Sequence, residues 1–391
     1  MKLFTMEKEA LVAAQGYVTA TEIMQQPELW QQTVDIIEES KRQIQAFLTK
    51  PLAKRNIRII LTGAGSSAYV GDIVAPHLRR LFGFHVESIA TTDLAANPED
   101  YFTKETPTIL VSFARSGNSP ESVAAYDLAE QLVTDLYQVI ITCNSEGDLA
   151  QKAAKKENNL LVIMPEASND KGFAMTSSFS CMVLTSLMIF DLDHFSQNKA
   201  GVQNLIASGR RILTEDASRI QEITDAGYKR IVYLGSSVLK ALSQEAALKA
   251  LELSSGKIVA LSESVLGFRH GPKCIVRDQT IVFVFLSNQS YTRQYDMDLL
   301  KELHREKGNY KIAAISYCPD EELQELADYV FIVNPEAVSS EQDAYAGLTY
   351  ILYAQMYALL NSLSLGITPD NPRPDGTVNR VVQGVTIYPM T

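Results

Sequence analysis

The chain has 391 residues, 46% apolar and 21% charged, an ordinary globular composition with room for two domains that each bury a core. Its 35 basic and 46 acidic side chains give a net charge of −11, which argues against nucleic acid or an anionic membrane as a partner. The four cysteines, Cys143, Cys181, Cys274 and Cys318, lie far apart, with no CxxC and no His/Cys cluster at metal-ligand spacing, so a cytoplasmic chain with reduced thiols and no bound metal is expected.

The first residues, MKLFTMEKEALVAAQG, carry acidic side chains where a signal peptide needs an unbroken apolar core. Residues 1–49 are expected to form an N-terminal helical segment. Leu29, Thr33, Ile36, Ile37, Ile44 and Phe47 fall near helical spacing, with Glu38, Glu39, Lys41 and Arg42 between them, and Pro51 marks the end. From there the pattern changes. Ile57–Leu61, Thr108–Val111, Val139–Thr142 and Leu160–Ile163 are short apolar runs, separated by helical stretches such as Pro120 to Tyr137. Such alternation predicts an α/β domain over 50–200, its parallel sheet flanked by helices. The apolar run Phe179–Phe190 is too short to span a bilayer and is expected to be a buried helix.

After a polar helical linker at 201–226, the arrangement recurs over 227–368. Arg230–Leu234 leads into Gly235-Ser-Ser as the first strand leads into Gly65-Ser-Ser, an offset of 170. Thr280–Leu286 leads into Ser287-Asn-Gln-Ser, against Ser116-Gly-Asn-Ser, an offset of 171. Leu161-Val-Ile-Met-Pro-Glu-Ala matches Phe331-Ile-Val-Asn-Pro-Glu-Ala, again at 170. Three junctions in nearly one register indicate a duplicated domain. Residues 369–391 form a Pro- and Gly-containing tail, either an ordered loop over a site or a frayed end.

In an open parallel sheet, ligands bind beyond the carboxyl ends of the strands. Gly65-Ser66-Ser67 and Arg115-Ser116-Gly117-Asn118-Ser119 lie there in the first copy. Each precedes a helix whose free N–H groups favour an anion, and serine hydroxyls can donate to phosphate oxygens. The competing reading is structural: Ser119-Pro120-Glu121 is also a good helix start. Two such loops at neighbouring strand ends favour a shared anion. Neither a dinucleotide fingerprint nor a GxxxxGK[ST] loop is present.

Glu245 and Glu252 lie seven residues apart on one helical face among leucines. Burial would raise such a carboxyl toward the range useful for proton transfer, while a solvated carboxylate on an amphipathic helix is the competing reading. His270, in the loop Gly267-Phe-Arg-His-Gly-Pro-Lys273, is either solvated or a positioned acid–base group.

Gly65-Ser-Ser-Ala-Tyr-Val-Gly71, Arg115-Ser-Gly-Asn-Ser119, Glu245-Ala-Ala-Leu-Lys-Ala-Leu-Glu252 and Arg269-His-Gly-Pro272 together resemble the tandem sugar isomerase (SIS) domain family. The resemblance spans about residues 45–391, nearest to AgaS-type galactosamine-6-phosphate deaminase/isomerases and then to the isomerase half of glucosamine-6-phosphate synthase. The tail Asp370–Arg380 is of the AgaS type. It implies two flavodoxin-like SIS domains in a homodimer or higher homo-oligomer with a shared active site. Phosphate binding falls on Ser66, Ser67, Arg115, Ser116 and Ser119, the isomerase base on Glu252, and the ring-opening histidine on His270, which the synthase takes from the partner subunit.

Two departures from the synthase stand out. No glutaminase domain or early cysteine is seen, and the synthase's Schiff-base lysine is matched by Arg380, a substrate or tail residue whose permanent charge rules out that nucleophilic role. Both point to ammonia release, converting a 2-amino-2-deoxy-hexose 6-phosphate to the ketose 6-phosphate without a cofactor. The synthase's sugar-contacting serine falls near Met175, which leaves the epimer open. Plain aldose–ketose isomerisation and a non-catalytic sugar-phosphate regulator remain alternatives.

Overall fold

The computed structural model describes residues 2–83, 85–306, 308–337, 341–382 and 384–390. Ten strands build two parallel sheets: β1 (Arg58–Thr62), β2 (Val86–Ser88), β3 (Thr108–Ala114), β4 (Leu136–Thr142), β5 (Asn159–Ile163), β6 (Arg230–Gly235), β7 (Val259–Ser264), β8 (Thr280–Phe285), β9 (Lys311–Ser316) and β10 (Tyr329–Ile332). The first sheet runs β2-β1-β3-β4-β5 and the second β7-β6-β8-β9-β10. Both therefore have the flavodoxin-like order 2-1-3-4-5, and the duplicated α/β fold stands. Every residue of β3, β4 and β8 is buried. Helices on both faces leave these strands no wet side, which explains their continuous rather than alternating apolar pattern.

The chain divides into two compact units. One holds the first sheet, with residues 28–170, 175–199 and 375–391; the other holds the second sheet, with residues 1–27, 171–174 and 200–374. The helices that matter below are α1 (Ser66–Phe82), α2 (Thr91–Ala96), α3 (Pro120–Leu132) and α4 (Ser177–Ile189) in the first-sheet unit. The second-sheet unit contributes α5 (Val238–Leu253), α6 (Val265–Phe268), α7 (Ser290–Glu306) and α8 (Asp343–Ser364).

All thirteen residues of α4 are buried, as its apolar sequence predicts. In the other unit, α8 is buried from Asp343 to Ser362 and packs against α5. Two of its buried phenols find acceptors: Tyr353 donates to Asp216 Oδ2 (2.7 Å) and Tyr350 to the Leu286 carbonyl (3.0 Å).

Three expectations need correction. The segment expected to be helical and to end at Pro51 opens instead with a short hairpin, Lys2–Leu3 against Met6–Glu7; its helices are Lys8–Ala13, Tyr17–Met24 and Gln26–Leu52, the last running through Pro51. Gln15, at φ 49°, breaks the path between the first two. The helix expected from Pro120 to Tyr137 stops at Leu132; Val133 is extended, and Tyr137 belongs to β4. The β-branched and aromatic run from Leu136 is better served by the sheet.

The third correction concerns the register of the repeat. Arg58 pairs with Thr108 as Arg230 pairs with Thr280, an offset of 172. The loop after each first strand obeys the same offset: Gly65 has φ 58°, ψ −129° and Ser237 has φ 54°, ψ −122°. Gly235 is thus the counterpart of Gly63, not of Gly65. A Cβ on Gly63 would lie 2.5 Å from the Ser67 carbonyl carbon, and one on Gly235 would lie 2.6 Å from that of Leu239. The similar letters Gly-Ser-Ser had suggested 170; the backbone requires 172.

Candidate active site

The first loop opens α1 at the end of β1. Gly65 takes a left-handed conformation that a side chain would strain, and Gly63 lies where any side chain would strike the first helical turn. This tight turn buries Ser66 and Ser67, each 4% exposed. The Ser67 hydroxyl lies 3.8 Å from Met175 Sδ and 3.9 Å from Met182 Sδ, both weak acceptors that leave a better one room to compete.

The second loop follows β3. Gly117 has φ 71°, which lets the chain turn back between Ser116 and Asn118. A neighbouring loop holds it: Asn144 Nδ2 donates to the Ser116 carbonyl (2.8 Å), and Leu149 N donates to the Gly117 carbonyl (3.1 Å). Gly147 must be glycine here, since a Cβ would sit 2.4 Å from the Ser116 carbonyl oxygen. Ser119 precedes α3 as expected, with Pro120 first in the helix, yet its hydroxyl caps no backbone N–H and donates instead to Ser122 Oγ (2.6 Å).

Arg115 is buried, and its Nη2 donates to the Arg380 carbonyl (2.7 Å). The Arg380 guanidinium in turn donates to Asn169 Oδ1 (3.2 Å) and to the Asp170 carbonyl. Asp170 is fully buried and accepts from Thr176 and Ser178 through both backbone and hydroxyl, and from Ser177 N, fixing the start of α4. The tail therefore lies beside the second loop at Arg380. One unit thus gathers Ser66, Ser67, Arg115, Ser116, Ser119 and Arg380.

The second sheet lacks this equipment. At the 172 offset, Val238 and Leu239, each 1% exposed, stand where the first copy has Ser66 and Ser67. Ser287 replaces Arg115, and its hydroxyl donates to Asp343 Oδ2 (2.6 Å), while Asn288 N donates to Asp343 Oδ1 (2.6 Å). Asp296 accepts from Ser236 Oγ (2.7 Å) and Ser287 N (2.9 Å). Two carboxylates of the chain itself take the donors that an anion would need.

Burial pushes the Asp296 carboxyl up from its ordinary 3.8 to about 6, with Asp343 adding to the rise and Arg293 opposing it. Between about pH 4 and 6 the folded protein keeps a proton that the unfolded chain gives up, so this contribution is lost as pH rises through 6. Unfolding in urea at about pH 4 and about pH 7.5 should show the stability of Asp296→Asn, relative to wild type, improving by on the order of 2 kcal/mol at the higher pH.

The acid–base candidates belong to the second-sheet unit. On α5, Glu245 and Glu252 share a face as expected, with Lys249 between them, a residue the sequence reading passed over. Lys249 Nζ lies 2.6 Å from Glu252 Oε2 and 3.4 Å from Glu245 Oε1. The Glu245 and Lys249 side chains are 0% and 1% exposed, whereas that of Glu252 is 25% exposed. Glu252 is thus an ion-paired carboxylate that a small molecule can still reach. The spacing Glu-x3-Lys-x2-Glu in an Ala/Leu helix was the signal for Lys249, because it puts all three on one face.

His270 is exposed, in the turn between α6 and a 3-10 turn at Pro272–Ile275. Ser264 Oγ accepts from Gly267 N (3.0 Å) at the start of α6. Gly271 has φ 121°, which only glycine adopts without strain. Among the described residues no group of three or more His, Cys, Asp and Glu is placed to hold a metal, and no helix is long and apolar enough to cross a membrane.

A doubly wound sheet of order 2-1-3-4-5, built twice, makes this a tandem flavodoxin-like protein. The SIS domain matches it at residues 51–190 and again at 223–364, so the chain belongs to the SIS domain family. A crystal structure from Clostridium novyi NT matches it with a TM-score of 0.98 and 46% identity, over 100% of both chains. Tagatose-6-phosphate ketose/aldose isomerase from Escherichia coli matches with a TM-score of 0.89 and 40% identity, over 97% of this chain and 99% of that one. D-galactosamine-6-phosphate deaminase AgaS of Shewanella sp. (strain ANA-3) is 44% identical over 384 residues, 97% of this chain and 94% of that protein.

Proposed function

We propose that this protein is an amino-sugar-phosphate deaminase/isomerase that converts galactosamine 6-phosphate and water to tagatose 6-phosphate and ammonia. The observation that carries this is the 44% identity to the Shewanella deaminase along nearly the whole of both chains. Ser66, Ser67, Ser116 and Ser119 bind the phosphate through hydroxyl and backbone donors, and Arg115 adds charge. A phosphate held this way positions the carbons that react.

His270 shuttles a proton between the anomeric hydroxyl and the ring oxygen, opening the ring. Glu252 takes the proton from carbon 2 while the carbonyl oxygen on carbon 1 gains one from water, leaving an enolamine across carbons 1 and 2. It returns the proton to carbon 1, which makes carbon 2 a ketimine. Water adds to that carbon, the C–N bond breaks, and ammonia leaves as the ketone forms. Electrons stay within the substrate at every step, so the chemistry calls for no redox cofactor. Lys249 keeps Glu252 oriented through their 2.6 Å contact. The exposure of His270 supports a homo-oligomer in which it serves a partner's site, and the scattered cysteines support a cytoplasmic setting.

The same residues could run plain aldose–ketose isomerisation, a reading favoured by the likeness to the E. coli tagatose-6-phosphate isomerase structure. An assay for ammonia decides between them, with galactosamine 6-phosphate and glucosamine 6-phosphate side by side. The deaminase reading requires stoichiometric ammonia, fastest from the galacto epimer. Tagatose 6-phosphate formed from galactose 6-phosphate, with no ammonia from either amino sugar, would leave only the isomerase.

Arg115→Ala should raise KM about 10- to 100-fold, the cost of one charge-assisted hydrogen bond, with a smaller change in kcat. A loss confined to kcat, in steady-state kinetics, would take Arg115 out of phosphate binding.

A further inference from the structure

The turn that carries His270 is anchored unequally on its two sides. On the near side, Val265 and Phe268 of α6 are both fully buried in the core of the second-sheet unit. On the far side, the 3-10 turn Pro272–Ile275 has no fully buried residue and Gly271 offers no side chain; Ile275 and Val276 pack against the same core but are only partly buried. The His270 N–H donates to the Gly267 carbonyl (2.9 Å) and the Cys274 N–H to the Gly271 carbonyl (3.0 Å), bonds that each stay on one side of the turn.

One carboxylate bridges both sides. Arg269, just before His270, donates from Nε to Glu302 Oε2 on α7 (2.6 Å). Lys273, three residues after His270, donates to Glu302 Oε1 and also to Glu306 Oε1. The Arg269 and Glu302 side chains are each 26% exposed and that of Lys273 22%, so solvent screens the cluster less than it screens an open surface pair. Hydrogen bonds from Lys273 and then Arg269 outweigh desolvation and hold the Glu302 carboxyl below its ordinary range, so Glu302 stays ionised at neutral pH.

We propose that Glu302 is a positioning residue for His270: its two oxygens clamp the residues on either side of the histidine and fix the imidazole for proton transfer. The proposal rests on the reading of His270 as the ring-opening group. Glu302 itself touches neither substrate nor reacting atoms. A structural ion pair would support the fold equally from either cation; a positioning clamp must act through His270.

The test uses the full-length protein with galactosamine 6-phosphate as substrate. It compares wild type, His270→Asn, Glu302→Gln, Glu302→Asp and the double variant of His270→Asn with Glu302→Gln. Misplacing a catalytic group by an ångström costs up to about 100-fold, so Glu302→Gln should lower kcat at least about tenfold while KM stays within about twofold. Glu302→Asp, which keeps the charge, should recover most of that loss. In the His270→Asn background, Glu302→Gln should cost nothing further.

An unchanged kcat in Glu302→Gln overturns the proposal, as does an equal loss whether or not His270 is present. Loss of activity in His270→Asn alone leaves the acid–base reading standing and removes only the clamp. Full activity in His270→Asn removes both. Thermal unfolding of each variant identifies any loss that comes from failure to fold.

Discussion

Glu252→Gln should lower kcat by about 10²- to 10⁴-fold, the usual worth of a positioned general base. The amide keeps the shape and one oxygen acceptor but cannot take a proton from carbon 2. The proposed phosphate ligands are other residues, so KM should change little. Lys249 contacts Glu252 at 2.6 Å, and it would donate to the amide oxygen as it does to the carboxylate, which keeps α5 in place. The variant should therefore unfold at nearly the wild-type temperature. A sugar-phosphate regulator that needs no base would bind ligand equally well in this variant and would show no turnover to lose.

The second large effect concerns Lys249. Its ammonium is enclosed beside Glu245, whose side chain is 0% exposed. Lys249→Met removes the cation and leaves the buried carboxylate without it, which should cost about 3–5 kcal/mol of stability. Chemical unfolding measures this directly. Changing Glu245 to Leu in the same chain should restore most of the loss, because a buried ion pair can often be exchanged for apolar groups of similar volume at little cost. The double variant should still turn over poorly, since Glu252 has lost the group that orients it. Recovery of stability without recovery of activity separates the two duties of Lys249: neutralising Glu245 and holding Glu252. If the double variant were fully active, Lys249 would serve the fold alone.

The strands with apolar, β-branched runs were legible because a doubly covered parallel sheet demands that composition. The ones that escaped notice lack it. Val86-Glu-Ser88 is a three-residue edge strand with two polar side chains, Val259-Ala-Leu-Ser-Glu-Ser264 is half polar, and Lys311-Ile-Ala-Ala-Ile-Ser316 is half small residues, a pattern that fits a helix as well. The duplication was visible, but its register was not. Gly-Ser-Ser occurs after both first strands, yet the left-handed position falls on Gly65 in one and on Ser237 in the other. Only the backbone shows that apolar Val238 and Leu239 stand where the first copy has its serines.

The candidate site followed the same rule. Loops at strand ends announce themselves through Gly, Ser and Pro, so Ser66, Ser67, Arg115, Ser116, Ser119 and His270 were all nominated from sequence. Lys249 was hidden because a lysine in a predicted helix is ordinarily solvated; here the carboxylates flanking it are what permit its burial. Glu302 had no local signal at all. It lies 33 residues from Arg269 in sequence, and only the packing of α7 beside the His270 turn brings the two together.

The central claim is that Glu252 removes the proton from carbon 2 on the way to ammonia. Galactosamine 6-phosphate carrying deuterium at carbon 2 tests it most directly, by following label and ammonia in the same reaction. In the wild-type protein the deuterium should leave carbon 2 at least as fast as ammonia forms, entering water or carbon 1, and in Glu252→Gln it should stay at carbon 2. Ammonia formed with the label still at carbon 2, or label lost from Glu252→Gln at the wild-type rate, would contradict the account.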